Sequence, residues 1–246
     1  MTALVLKLGG SVVTDKDRPE TLDGEALERA VDAVAGVDSD AELVVVHGGG
    51  SFGHHNASEH GVSTTEGTHD AGAALAIHGA MKTLNGFVLR RLLERDVNAV
   101  PVHPFSVAHR DRTGELTLPT GQIRTMLEEG FVPVLHGDLV AHAGEGATVV
   151  SGDELVAGLA SDLEADRVGL CSTVPGVLDG DERVIERIVA YEDVESVLGG
   201  SESTDVTGGM AAKVRALLAL EASASIFGLE DLDEFLAGGE PGTTVE

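Results

Sequence analysis

Lysine occurs four times in 246 residues, as Lys7, Lys16, Lys82 and Lys213, and three of the four stand in or beside glycine-rich turns. Lys7 opens Lys7-Leu8-Gly9-Gly10-Ser11, Lys16 follows shortly after, and Lys213 comes just after Thr207-Gly208-Gly209-Met210. An ammonium on a flexible stem suits an anion that moves, and glycine lets backbone N–H groups approach such an anion closely. A second glycine turn, His47-Gly48-Gly49-Gly50-Ser51-Phe52-Gly53-His54, carries a histidine at each end. These residue types support phosphate binding and phosphoryl transfer, in which positioning and charge neutralisation carry the rate. Neither turn has the GxxxxGK[ST] or GxGxxG spacing, so the P-loop and dinucleotide readings fail.

The elements around these turns set where they would lie. Short apolar runs at 4–8 and 43–46 each end in glycines, with helical spacing at 24–35 between them, which predicts β-loop-α-β-loop. Residues 69–95 carry apolar side chains at helical intervals and predict one long helix, or two that abut near Gly79 or Gly86. Strands are expected at 100–103, 131–135, 167–171 and 184–189, and helices at 121–129 and 210–222, before a final strand, helix and tail. Residues 136–150 read as a hairpin around Gly144-Glu145-Gly146, laid against the main sheet. Ser151-Gly152-Asp153 starts a helix to about residue 163, with Asp153 read as an N-cap that also orients Lys7 or Lys16. The alternation predicts an α/β fold, a mainly parallel sheet between helices, with both glycine turns side by side at its carboxyl edge.

Composition narrows the partners. A net charge of −26 opposes nucleic acid and anionic membranes, although a pocket's local field can still attract phosphate. Aromatics are 3%, so the core is built from Val, Leu, Ile and Ala. Cys171 is alone, which leaves no intramolecular disulfide and no thiolate cluster for zinc, and His60, His69, His78, His103, His109, His136 and His142 are scattered without metal-ligand spacing. No apolar run approaches the roughly 20 residues of a membrane span, and the opening residues do not read as a signal peptide, so a cytoplasmic protein is expected.

In order along the chain, KLGGS, HGGGSFGH, SGDELVAGLA, TVPGVLDGD and DVTGGMAAKV resemble the amino acid kinase superfamily over nearly the whole length, and within it the archaeal isopentenyl phosphate kinases. The specific marker is His54 after GSFG, which in that family binds the acceptor phosphate. The resemblance implies the amino acid kinase fold as a single domain over 1–246, with an acceptor lobe at about 1–165 and a nucleotide lobe at about 166–246. It implies ATP and Mg2+, conversion of isopentenyl phosphate to isopentenyl diphosphate in an archaeal mevalonate route, and a homodimer. Lys7, Gly9, Gly10 and Ser11 would hold the ATP phosphates, with Lys16 reaching the γ-phosphoryl group. Gly50, Asp179, Gly209 and Lys213 would also face the nucleotide. Gly49, Gly53, His54 and Gly152 would face the acceptor, the first and third through hydrogen bonds to its phosphate. No residue is assigned to a metal. The helix with Ile77, Met81 and Leu84 would wall a prenyl tail.

The chain departs from the family where His55-Asn56 stands in place of a proline after His54, and His55 reads as a surface residue. Alternatives within the fold are a fosfomycin-type or other small-phosphate kinase, and outside catalysis a nucleotide-binding regulatory module. Abundant acid with scarce lysine also resembles proteins of salt-loving archaea, which predicts a fold that weakens in dilute buffer.

Overall fold

A computed structural model describes residues 3–38, 41–198 and 209–246. Thr207 and Gly208 of the last glycine turn lie outside the described residues. The main sheet contains β1 (Ala3–Leu8), β2 (Glu42–His47), β3 (Ala99–Pro101), β6 (Val132–His136), β9 (Arg167–Ser172), β10 (Arg187–Ile188), β11 (Ser223–Gly228) and β12 (Thr243–Val245), in the order β10-β12-β11-β9-β1-β2-β6-β3. From β11 to β3 all strands run parallel; β12 and β10 run against them. What was read as a tail after the last helix therefore contains a buried strand.

The helices are α1 (Gly10–Val13), α2 (Gly24–Ala35), α3 (Gly50–Glu59), α4 (Ala71–Leu93), α5 (Pro104–Val107), α6 (Gly121–Glu128), α7 (Gly152–Asp162), α8 (Glu195–Leu198), α9 (Gly209–Leu218) and α10 (Leu232–Leu236). Side chains alternate across each strand, so β1 sends Val5 to one face and Leu4, Leu6 and Leu8 to the other. The first face packs on Ile123 of α6, Leu155 and Leu159 of α7 and Val214 of α9. The second packs on Leu27 and Val31 of α2, Leu92 of α4 and Phe235 of α10. This is the three-layer arrangement the alternation predicts.

Two expectations need correction. The 136–150 hairpin, β7 (Asp138–His142) with β8 (Gly146–Val150), is not an ornament on the main sheet. It forms a second, four-stranded sheet with β4 (His109–Arg110) and β5 (Leu116–Thr117), packed against α4 and α5. The expected strand at 184–189 is reduced to the two residues of β10, with Val184 bridging back to Leu178. Helix α4 is unbroken, and at both Gly79 and Gly86 an added Cβ would meet nothing within 4 Å, so neither glycine marks a kink.

Candidate active site

Strands β1, β2 and β6 are neighbours, and their carboxyl ends deliver Gly9-Gly10, Gly48-Gly49-Gly50 and Gly137 to one edge of the sheet. The two glycine turns touch through their backbones. A Cβ on Gly10 would overlap Gly50 N, and one on Gly48 would lie 2.5 Å from Gly10 N. Gly50 has φ +48°, and a Cβ there would overlap the Thr14 hydroxyl. Thr14 fastens the turns together: its Oγ1 donates to Gly10 O at 2.8 Å and accepts from Ser51 N at 3.0 Å. Helices α3 and α7 both begin at this edge, so their first amides, which lack intrahelical acceptors, and their positive dipole ends face the same space.

That space is a cavity lined by Lys7, Gly9, Gly10, Ser11, Gly49, Gly50, Gly53, His54, Gly152 and Lys213 among others. Ten of the residues expected at the site from sequence are thus brought together. Lys7, 7% exposed, places its Nζ 2.6 Å from Asp153 Oδ1, and Lys213 Nζ lies 3.9 Å from Asp153 Oδ2. Asp153 is not the N-cap. Ser151 takes that role, accepting from Glu154 N at 3.1 Å while Glu154 returns a bond to Ser151 N at 2.9 Å. The cap being filled, Asp153 is free to hold two lysines, of which Lys16 is not one.

Along α3, Gly50, Gly53, His54 and Ala57 follow helical spacing and all line the cavity. Gly53 lets α4 approach: a Cβ there would stand 2.9 Å from Met81 Sδ. Ile77 and Met81 of α4 form an apolar wall beside His54, whereas Leu84 belongs to the packing under Phe52. His55 is exposed, 3.9 Å from Glu59, and Asn56 is buried, donating to Glu20 Oε1 at 2.8 Å. Three expected site residues stand off the cavity wall. Lys16 is exposed on the loop between Thr14 and Leu22, Asp179 accepts from Asp181 N and Arg183 N in its own turn, and Gly209 (φ +63°) begins α9 without lining the space.

Beneath the turns the histidines are less scattered than their sequence positions suggest. His47, His78, His103 and His136 adjoin one another, with Asp138 2.9 Å from His78 Nδ1. Burial pushes His47 and His103 below the usual imidazole range, and burial with the neighbouring His47 pushes His136 further. No group of three or more metal-ligating side chains with suitable geometry occurs among the described residues. Cys171 is buried in the wall, its thiol pushed up to about 12 by desolvation, which leaves it unreactive.

A parallel sheet whose carboxyl edge carries abutting glycine nests, paired lysines and converging helix starts defines an α/β protein built to bind phosphate groups. The chain belongs to the amino acid kinase family, whose model matches residues 2–226. It is 63% identical over 245 residues to isopentenyl phosphate kinase of Haloferax volcanii, a match covering 100% of this chain and 99% of that one. It is 39% identical over 234 residues to isopentenyl phosphate kinase of Methanothermobacter thermautotrophicus, covering 88% and 86%. Among solved structures, one of an isopentenyl phosphate kinase superposes with a TM-score of 0.85 at 29% identity, over 99% of this chain and 100% of that one. The resemblance read from the five motifs holds. No helix among the described residues is long and apolar enough to cross a membrane.

Proposed function

We propose that this chain transfers the γ-phosphoryl group of ATP to the phosphate of isopentenyl phosphate, giving isopentenyl diphosphate and ADP. The observation that carries the reading is the single cavity in which two amide nests, Lys7, Lys213 and His54 meet beside an apolar wall, in a chain so similar to isopentenyl phosphate kinases. An acceptor-phosphate oxygen forms a bond to the γ-phosphorus as the β–γ bridging P–O bond breaks, and the electron pair departs with ADP. That oxygen is already ionised at neutral pH, so no general base is required. Lys7, Gly9, Gly10, Ser11 and Gly50 hold the donor phosphates, and Lys213 draws near from the 166–246 side. Gly49, Gly152 and His54 hold the acceptor from the 1–165 side, with Gly53 giving the room that lets α4 close on it. Ile77 and Met81 exclude water around the short hydrocarbon. Lys16, Asp179 and Gly209, which stand off the wall of that cavity, are proposed to face the nucleotide where it extends beyond it.

The donor set suits nucleotide phosphates, being mostly amides and ammoniums. It suits a protein-held metal poorly: Asp153 is engaged by two lysines, and Asp138 is paired with His78. Mg2+ would be carried chiefly by the phosphates themselves, screening their charge. A homodimer, a cytoplasmic setting and adaptation to high salt are proposed with this reading, the first checked by light scattering in molar KCl.

The test is ATP-dependent turnover in molar KCl with Mg2+, offering isopentenyl phosphate, dimethylallyl phosphate, geranyl phosphate, fosfomycin and UMP in parallel. Preference for isopentenyl phosphate by about 100-fold in kcat/KM, roughly 2.7 kcal/mol of discrimination, is expected. Turnover of fosfomycin or UMP instead overturns the acceptor, and ADP release that needs no acceptor overturns the kinase reading.

A further inference from the structure

His47 and His136 close adjacent parallel strands in register with one another, and their rings stack at 5.5 Å with 26° between planes. Both are fully buried, at 0% exposure. Each ring meets the carbonyl of the glycine that follows it: His47 Nδ1 is 3.1 Å from Gly48 O, and His136 Nδ1 is 2.9 Å from Gly137 O. A carbonyl oxygen only accepts, so each Nδ1 carries the proton, and in a neutral ring each Nε2 then accepts. The far side of the His136 ring agrees with this assignment. His136 Nε2 lies 2.9 Å from His103 Nδ1, which donates to it. His47 Nε2 lies 3.1 Å from Oδ1 of buried Asn85, which like an unprotonated Nε2 only accepts, so the assignment requires the Asn85 amide to be turned about. Turning that amide so that Nδ2 faces His47 makes it the donor, and supplies a partner to a nitrogen that otherwise has none among the described residues.

We propose that the Nδ1–H groups of His47 and His136 are positioning donors for the acceptor site, holding the Gly48 and Gly137 carbonyls inward so that Gly49 N–H faces the acceptor phosphate across an unobstructed Gly137. In a trans peptide the C=O and the following N–H point in opposite directions, so fixing Gly48 O aims Gly49 N–H. Gly48 N–H is itself held by Leu8 O and Gly137 N–H by His47 O, both at 2.9 Å, so each glycine is fixed at both ends. The result is a converging pair of amides. A Cβ placed on Gly137 would stand 3.6 Å from Gly49 N and 3.7 Å from Gly152 N, which marks the point both nitrogens approach. Neither histidine touches substrate; both act through peptide orientation. The inference deepens the acceptor site proposed above and rests on that reading.

Long-range 1H–15N spectra of the full chain in molar KCl read the tautomers directly, with His47→Gln and His136→Gln for assignment. Nδ1–H on both rings is expected, and Nε2–H on either overturns the proposal whether or not a variant folds. Binding gives the second measurement. Asparagine puts an N–H near the Nδ1 position and glutamine near Nε2. His47→Asn should therefore keep affinity for isopentenyl phosphate within about threefold, while His47→Gln weakens it about tenfold, the worth of one hydrogen bond. Equal losses in the two variants at matched melting temperature overturn the positioning role. The same Asn-to-Gln difference seen with UMP but not with isopentenyl phosphate supports the positioning role and overturns the acceptor assigned above.

Discussion

Lys7 Nζ lies 2.6 Å from Asp153 Oδ1, and the second oxygen of that carboxylate is 3.9 Å from Lys213 Nζ. One acid thus spaces two ammoniums that would otherwise repel, and leaves the group of three with a net positive charge on the cavity wall. Asp153→Asn keeps an acceptor for Lys7 but removes the charge. The expected outcome is a fall in kcat of about 100-fold, with stability reduced by about 1–3 kcal/mol because the pair is largely buried. Steady-state kinetics and denaturant titration check this; unchanged kcat in a destabilised variant refutes the spacing role.

His54 reaches the cavity from the second turn of α3, with no charge partner required for its proposed role as a hydrogen-bond donor. His54→Ala should lose most of kcat/KM for isopentenyl phosphate, on the order of 100-fold or more, and His54→Gln, which retains a donor, about tenfold less than that. Equal and severe losses in both variants contradict the donor role.

A Cβ added at Gly137 would sit in ordinary van der Waals contact, 3.5 Å from Val150 O, 3.6 Å from Gly49 N and 3.7 Å from Gly152 N, with no clash. Gly137→Ala is therefore expected to fold with a melting temperature within a few degrees of wild type. The methyl group would occupy the place toward which Gly49 N and Gly152 N converge, so KM for the acceptor should rise at least about tenfold while KM for ATP changes little. A variant with ordinary acceptor KM would move the phosphate away from Gly137.

Three neutral imidazoles, His47 and His136 buried and His103 half-buried, give the fold an acid limit. Burial lowers the folded-state pKa of His47, His103 and His136 from the model-compound value of 6.5, so below that pH the unfolded chain binds more protons than the folded one. Stability is fully present above about pH 6.5 and is lost as pH falls, at up to about 1.4 kcal/mol per pH unit for each imidazole. The groups facing this set are Asp138, His78 and Lys82, and Asp138 moderates the effect at His103. Urea titrations at pH 7.5 and 5.5 in constant KCl should show the lower midpoint at pH 5.5. Equal midpoints would mean that these rings are charged in the fold.

A net charge of −26 repels itself most strongly when unscreened. Melting temperature should rise between 0.1 M and 2 M KCl, and a flat response counts against salt adaptation.

The glycine nests were legible because their signal is local: an apolar run, then residues without side chains. The start of α7 at Ser151-Gly152-Asp153 was legible for the same reason, although the cap proved to be Ser151 with Glu154 and not Asp153. The partner of Asp153 was narrowed only to Lys7 or Lys16, since Lys7 lies 146 residues away and it is the packing of α7 against β1 that joins them. The second sheet escaped because β4 and β5 have two residues each, too few to show alternation. The histidines looked unrelated because each belongs to a different element, His47 and His136 at the ends of β2 and β6, His78 within α4 and His103 just before α5; that β2 and β6 become neighbours, although β3 lies between them in sequence, is a fact of topology. The nucleotide contacts expected of Lys16 and Asp179 came from resemblance alone, and both side chains stand on exposed loops turned to their own neighbours or to solvent.

Gly10 and Gly50 approach until no methyl group fits between them. The two glycine turns therefore meet backbone to backbone, at the place where the proposed donor contacts, Gly10 and Gly50, pass directly to the proposed acceptor contact at Gly49. An inhibitor that joins a nucleoside to a prenyl group through a short oligophosphate bridge would lie along that junction, and the best bridge length would measure the gap across which the phosphoryl group travels.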